Sequence, residues 1–229
     1  MAHAMNTTLV IPALDEAEVI GGVVRRVPRE HVREVIVVDN GSSDATAAVA
    51  AQAGARVVTE TRRGYGAACW AGVNAVARET DVVAFLDGDG SQLPEELPSI
   101  LEPIVAARAD FVLGARRFNG AHPAHAALGS QLVARFIGWR HGVRITDIAP
   151  FRAISLPLLR RLDMRDRSFG WPVEMVVKAA TCGARIVEVP VTHAPRQGGR
   201  SKVSGTFVGS LRAGYAFLIV AIRASRHVA

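Results

Sequence analysis

The first half of the chain alternates between short apolar runs and longer alanine-rich segments. The runs are Thr8–Pro12, Val35–Asp39, Arg56–Thr59, Val82–Asp87 and Phe111–Gly114, and between them lie Ala17–Val27, Ala45–Ala53, Ala67–Arg78 and Pro94–Ala107. Runs that stay apolar along their length predict strands covered on both faces. The helical segments between them predict parallel βαβ units. Right-handed crossovers bring the C-terminal ends of such strands to one edge of the sheet, where open α/β sheets bind their ligands. Pro12–Glu16, Asp39–Asp44, Glu60–Gly66 and Asp87–Ser91 would gather there.

The second half is less regular. Arg116–Ala127 reads as a loop, followed by a helix to about Arg140. Ile148–Ile154 and Arg185–Val191 read as strands, and Leu156–Leu162 and Val173–Thr181 as helices. Arg196–Gly205 is glycine-rich and basic, and a last helix is expected over Thr206–Ser225. No repeat or linker marks a second domain.

Composition narrows the function classes. An apolar fraction of 49% in 229 residues is enough for a sizeable core and argues against disorder. The net charge of +6 suits an anionic partner such as a nucleotide, a lipid phosphate or a membrane surface. Nucleic acid is disfavoured: aromatics are 6% of the chain and none interrupts the basic loop. Cys69 and Cys182 have no metal or redox spacing and read as buried thiols. No secretory leader and no apolar run long enough to span a bilayer is visible, so a cytoplasmic location is expected, peripheral to the membrane at most.

Four segments at the expected ligand edge carry candidate chemistry. Asp87-Gly88-Asp89 follows an apolar strand; in a turn its carboxylates can converge on a divalent cation, or they are two solvated acids. Asp39-Asn40-Gly41-Ser42-Ser43-Asp44 offers Asp39 to a base or ribose and Ser42 or Ser43 as a helix cap. Pro12-Ala13-Leu14-Asp15-Glu16 is a third strand-to-helix turn, with Asp15 available as a cap. Arg62-Arg63-Gly64-Tyr65-Gly66 opens a helix where backbone and phosphate could approach closely. Gly64 and Gly66 also begin a dinucleotide-like pattern, but Cys69 occupies the third glycine position and the pattern does not follow the first strand. His122 and His125 flank Pro123 and read as loop surface.

Taken in order, these segments resemble glycosyltransferase family 2, with its GT-A fold, and within it the polyprenyl- or dolichyl-phosphate sugar synthases. Val10–Glu16, Val37–Asp44, Gly64–Ala68, Leu86–Gly90, Gly114–Arg116, Pro150–Ala153 and Arg196–Lys202 carry the resemblance, which covers about Leu9 to Gly205. It implies an α/β sandwich with a mainly parallel central sheet. A nucleotide-sugar half would span about 9–115, an acceptor half about 116–205 and a C-terminal amphipathic helix 206–225, all in one domain. Pro12, Leu14, Glu16, Asp39, Gly41, Ser42, Arg63, Gly64, Asp87, Gly88 and Asp89 would hold a UDP- or GDP-hexose, with Mg²⁺ or Mn²⁺ on Asp87 and Asp89. Arg116, Arg196, Arg200, Ser201 and Lys202 would face the acceptor and the phosphates, with Asp89 and Arg200 also in the catalytic set. The chain departs from the family pattern at Asn40, where many relatives have Asp, and at Ser91, where lipid-phosphate synthases often have Gln. Gln92 is adjacent but out of register. The arginine that such synthases often carry near Leu128 is missing.

The acceptor turns on a general base. A hydroxyl acceptor needs one within hydrogen-bond reach; a phosphate acceptor is already an anion. Asp147 and Glu174 are the candidate bases, and each could equally be structural, Asp147 ordering a loop and Glu174 pairing with an arginine. The expected acceptor is a polyprenyl phosphate at the membrane's cytosolic face. The alternatives are a soluble hydroxyl acceptor and a nucleotide-sugar-binding protein without turnover. The last helix fits an interfacial helix and a helix packed on the sheet equally well.

Overall fold

The computed structural model describes residues 5–117 and 124–198, the side chains of 124–130 excepted. The expected helix over Thr206–Ser225 and the residues Arg200, Ser201, Lys202 and His122 lie outside the described residues, as does the side chain of His125.

The period-2 geometry of a strand splits each apolar run between two cores. Val10, Ile36, Val38, Val83 and Phe85 pack on one side of the sheet, and Leu9, Ile11, Val35, Val37, Ala84 and Leu86 on the other. The strands are β1 (Thr7–Ala13), β2 (Glu34–Asp39), β3 (Arg56–Thr59), β4 (Val82–Phe85), β5 (Phe111–Arg116), β6 (Arg152–Ser155) and β7 (Ile186–Val191). They form one seven-stranded sheet in the order β3-β2-β1-β4-β6-β5-β7. All neighbours pair in parallel except β6, which is antiparallel to both β4 and β5. The expected mainly parallel α/β architecture is therefore present.

The helices are α1 (Ile20–Arg25), α2 (Thr46–Gln52), α3 (Tyr65–Ala75), α4 (Leu97–Val105), α5 (Ala124–His141), α6 (Leu156–Arg161) and α7 (Trp171–Thr181). Residues of α1 and α4 line one core; α3, α5, α6 and α7 line the other, around the fully buried Trp171. Two expected boundaries move. The strand expected over Ile148–Ile154 is only Arg152–Ser155, because the carbonyls of Ala149 and Pro150 turn to the Arg152 guanidinium and Pro150 has no N–H for a ladder. The loop expected over Arg116–Ala127 is shorter, since α5 starts at Ala124.

One loop locks the two halves together. Glu174, on α7 and buried, accepts from the backbone N–H groups of Arg165 (3.0 and 3.1 Å) and Asp166 (2.7 Å) and from Lys178 Nζ (2.8 Å). Lys178 in turn donates to the Asp163 carbonyl at 2.6 Å. The loop so ordered presents its own carbonyls to the start of α3: Gly66 N–H donates to Ser168 O and Ala67 N–H to Arg167 O, both at 2.9 Å. The approach is close enough to require glycine. A Cβ on Gly64, whose φ is +142°, would lie 2.2 Å from Arg167 O, and one on Gly66 would lie 2.6 Å from Asp166 O.

Gly64→Ala combines a backbone conformation that L-residues avoid with a clash against backbone that cannot swing aside. It is expected to cost roughly 3 kcal/mol of folding stability. Urea unfolding of the variant and the parent measures it.

Candidate functional site

The order of crossovers places a crevice where the chain reverses direction across the sheet. β1 leads to β2 and β3 on one side, and the chain then returns to β4 on the other side of β1. This switch point is where ligands of open α/β sheets bind. The expected edge residues do gather here. Ala13 lies opposite Asp39, and an ideal Cβ on Gly88 would lie 3.4 Å from the Pro12 carbonyl, which puts the Asp-Gly-Asp turn against the end of β1.

The two turns beside the crevice are bound to each other. Asp15, with φ of +50°, accepts from Ser43 N–H at 2.7 Å and from the Ser43 hydroxyl at 3.0 Å, while its own N–H donates to Ser42 Oγ at 3.0 Å. Asp15 is thus a cross-link between turns rather than the helix cap it could have been. Asp39, nearly buried, accepts from Ser42 N–H at 3.1 Å and shapes the turn that begins with Gly41, over which the Arg63 side chain lies. Leu14 is partly exposed at the same edge.

Asn40 has a role that a carboxylate could not fill. Its Nδ2 donates to the carbonyls of Glu60 (3.0 Å) and Arg62 (2.8 Å), and its Oδ1 accepts from Gly64 N–H at 2.8 Å. An aspartate has no donor for the two carbonyls. The departure from the family pattern at this position therefore comes with its own local compensation. The amides of Gly64, Gly66 and Ala67 are spent on Asn40 and on the 166–168 loop, so the first turn of α3 is occupied by protein acceptors.

The acidic centre is Asp87 and Asp89. Tyr65 Oη donates to Asp87 Oδ1 at 3.2 Å, and Asp87 N–H donates to Gln92 Oε1 at 3.2 Å. Asp89 Oδ1 accepts from Ser91 N–H at 2.9 Å. Burial, then the charge of Asp89, pushes the Asp87 carboxyl up to about 7; Tyr65, Arg116 and Arg152 oppose the rise without cancelling it. A buried carboxylate near a second negative charge favours its protonated form, or a cation beside it. Gln92 is fully buried on this turn, and its Nε2 has no hydrogen-bond partner among the described residues. Adjacency to the motif was its only signal in the sequence.

Arg196 occupies the cation's neighbourhood. Its guanidinium pairs with Glu16 Oε1 and lies 3.4 Å from Asp89 Oδ2, while Gln197 N–H donates to the Asp89 carbonyl at 3.2 Å. Arg196, expected to face the acceptor and the phosphates, lies between Glu16 and Asp89. Among the described residues no group of three or more His, Cys, Asp or Glu is placed to hold a metal ion, so Asp87 and Asp89 alone would offer carboxylates to one here.

Both candidate bases are committed elsewhere. Asp147, 1% exposed, is clamped by Arg116 through Nε and Nη2, both at 2.7 Å, and by the Arg116 and Ile148 amides at 3.2 and 2.8 Å. Glu174 holds the 163–168 loop. Asp147 pairs with Arg116 next to the loop it was expected to order, and Glu174 pairs with Lys178 rather than with the arginine side chain expected. Arg116, half-buried, is braced at the end of β5 and contributes its charge to the Asp87 site. Arg152 is a residue whose role the sequence did not reveal. Fully buried on β6, it is hydrogen-bonded to the carbonyls of Ala149, Pro150 and Pro172, with its charge near Asp87.

Two outcomes are expected. Glu174→Ala leaves two amides without their acceptor and the buried Lys178 without its counter-charge, and should cost about 3–5 kcal/mol of stability in urea unfolding. Asp87 titrates with a raised pKa in the fold, so its stabilising protonated form is fully present below the unfolded value near 4. That stability is lost as pH rises through about 7. Asp87→Asn, which has no proton to lose, should therefore gain melting temperature relative to the parent as pH rises from 4 to 7. The difference should level off above that, with chelator present throughout.

Comparison with known proteins agrees with this geometry. The family model described as Glycosyl transferase family 2 matches residues 8–165. An uncharacterized glycosyltransferase of Mycobacterium tuberculosis is 42% identical over 206 residues, covering 89% of this chain and 92% of that protein. The undecaprenyl-phosphate mannosyltransferase of Micrococcus luteus is 34% identical over 223 residues, covering 90% of each. Among solved structures, glucosyl-3-phosphoglycerate synthase from Mycobacterium tuberculosis, in complex with Mn²⁺, UDP and glucosyl-3-phosphoglycerate, superposes with a TM-score of 0.78. The match covers 97% of this chain and 80% of that one at 20% identity, which is a likeness of fold. With more than half its length matched by the family model and its acidic turn at the switch point of a GT-A sheet, the chain belongs to glycosyltransferase family 2.

Proposed function

We propose that this glycosyltransferase transfers a hexose from a UDP- or GDP-sugar to a polyprenyl phosphate, with inversion and with Mg²⁺ or Mn²⁺ held by Asp87 and Asp89. The observation that supports the donor half is the Asp87-Gly88-Asp89 turn packed against the end of β1 at the switch point, where Arg196 lies 3.4 Å from Asp89. A divalent ion bound there would neutralise charge on the leaving diphosphate. Asp39 and the turn at Gly41 and Ser42 would receive the base and ribose, with Pro12, Leu14 and Arg63 around them. Glu16 would hold Arg196 beside the diphosphate. Arg116, kept rigid by Asp147, would present positive charge from the other side of Asp87 without spending entropy on ordering itself.

The acceptor half rests on Asp147 and Glu174. Neither is available to deprotonate a hydroxyl, and a phosphate acceptor has no such need. The relative from Micrococcus luteus, named for undecaprenyl phosphate, supports the same choice. A soluble acceptor is the second reading, favoured by the fold likeness to a synthase solved with glucosyl-3-phosphoglycerate.

Calorimetry with UDP and with GDP, each with and without Mn²⁺, tests the donor site. Asp89→Ala is expected to lose the metal-dependent gain in affinity, by about 10- to 100-fold, and Asp39→Ala to weaken binding with or without metal. Unchanged Mn²⁺-dependent affinity in Asp89→Ala would remove the metal from this site. Radiolabelled transfer to short-chain polyprenyl phosphate in detergent, against soluble hydroxyl compounds, decides the acceptor.

A further inference from the structure

Helix α5 is apolar on two sides. Val133, Ala134 and Ile137 are buried in the core, while Leu132, Phe136 and Trp139 are 58%, 36% and 79% exposed. At 100° per residue the three exposed side chains fall within roughly 60° of one another. Phe136 and Trp139 form one continuous surface, their ring centroids 6.3 Å apart. Arg135 and Arg140, both exposed, border the stripe, each about 40° beyond it on opposite sides, and exposed Arg144 follows three residues after the helix. An ordinary surface helix turns polar residues outward, and one that does not is buried against something.

Charge identifies what. From Phe111 to Thr146 the sequence contains no Asp or Glu, and it contains Arg116, Arg117, Arg135, Arg140 and Arg144. The carboxylates that flank that stretch in sequence are engaged: Asp110 pairs with Arg185, and Asp147 with Arg116. An apolar stripe with an indole at its most exposed point, edged by guanidiniums with no acid among them, matches the boundary of an anionic bilayer. Aromatic rings settle there at headgroup depth and arginines meet lipid phosphate. A protein partner of ordinary composition would meet this face with unpaired positive charge.

The geometry points to the Leu132–Phe136–Trp139 face of α5 as a docking surface for an anionic lipid bilayer. The inference rests on exposure and charge and holds whatever the acceptor is. With a lipid-phosphate acceptor, it would also seat the catalytic edge at the membrane, since α5 joins Arg116 on β5 to Asp147, both at that edge.

The test uses the full-length protein and large vesicles of phosphatidylglycerol and phosphatidylcholine, with pure phosphatidylcholine as the neutral control. Co-sedimentation is expected with the anionic vesicles only, weakening as salt is raised. Phe136→Ser with Trp139→Ser should abolish it, and Arg135→Gln or Arg140→Gln should weaken it by about fivefold each. Because Trp171 is buried and Trp70 partly so, lipids brominated in the acyl chain should quench mainly Trp139. The quenching should vanish in Trp139→Phe, which still binds. Vesicle binding that survives the double serine variant would place the contact elsewhere and overturn the inference. So would no vesicle binding at all, or a dimer of the parent protein that the double variant dissolves, since the face would then be covered by a second copy. Transfer to polyprenyl phosphate in detergent micelles, measured on the same variants, separates this outcome from the acceptor. Its absence would sink the lipid-phosphate reading and leave the vesicle result standing.

Discussion

The frame behind the site depends on the carboxylate of Glu174. Buried on α7, it collects two backbone amides and the Lys178 ammonium, and so fixes the 163–168 loop against that helix. That loop closes on the first turn of α3, whose amides it satisfies, and α3 begins with the glycine that Asn40 grips from the end of β2. Through this chain of contacts, a charge pair on one side of the sheet sets the position of a turn on its ligand edge. Each contact involves a buried donor or acceptor, and the cost of leaving one unmade makes the arrangement all-or-none.

Around that frame the protein sorts its charges by function. Glu16, Asp87 and Asp89 concentrate negative charge in one crevice, against the grain of a chain with net charge +6. Arg196 balances them from the loop after β7, and Arg152 and Arg116 from behind. An acid cluster held in place by arginines is suited to exchange one cation for another, and Arg196, tied also to the Gly198 carbonyl, lies where such an exchange would be felt. The surplus positive charge is carried elsewhere, notably on the acid-free stretch that includes α5, where it faces outward beside exposed aromatic rings.

Much of this was legible in the sequence. The apolar runs mark all the strands of the first half, and the crossover rule by itself gathers Pro12–Glu16, Asp39–Asp44 and Asp87–Ser91 at one edge. The reading failed where a local pattern was overruled at a distance. Ile148–Phe151 is apolar enough for a strand, but its carbonyls are taken by a buried guanidinium. The Gly64–Gly66 turn looks like a phosphate cradle, but its close approach is to another part of the chain. Asp147 and Glu174 have the residue type and surroundings of bases, and only their partners show that they are clamps.

The sequence by itself determined the layered α/β architecture, the ligand edge and the acidic turn, because hydrophobic period, strand-end position and turn chemistry are properties of a few consecutive residues. It could not decide which charges are free to act. A buried carboxylate's role is set by whatever donor the fold places beside it, and those donors come from far along the chain. Arg116 reaches Asp147 across 31 residues, and Arg196 reaches Glu16 across 180. Only the tertiary structure brings such pairs within hydrogen-bond distance, and the desolvation of each pair is what turns a candidate base into a fixed part of the frame.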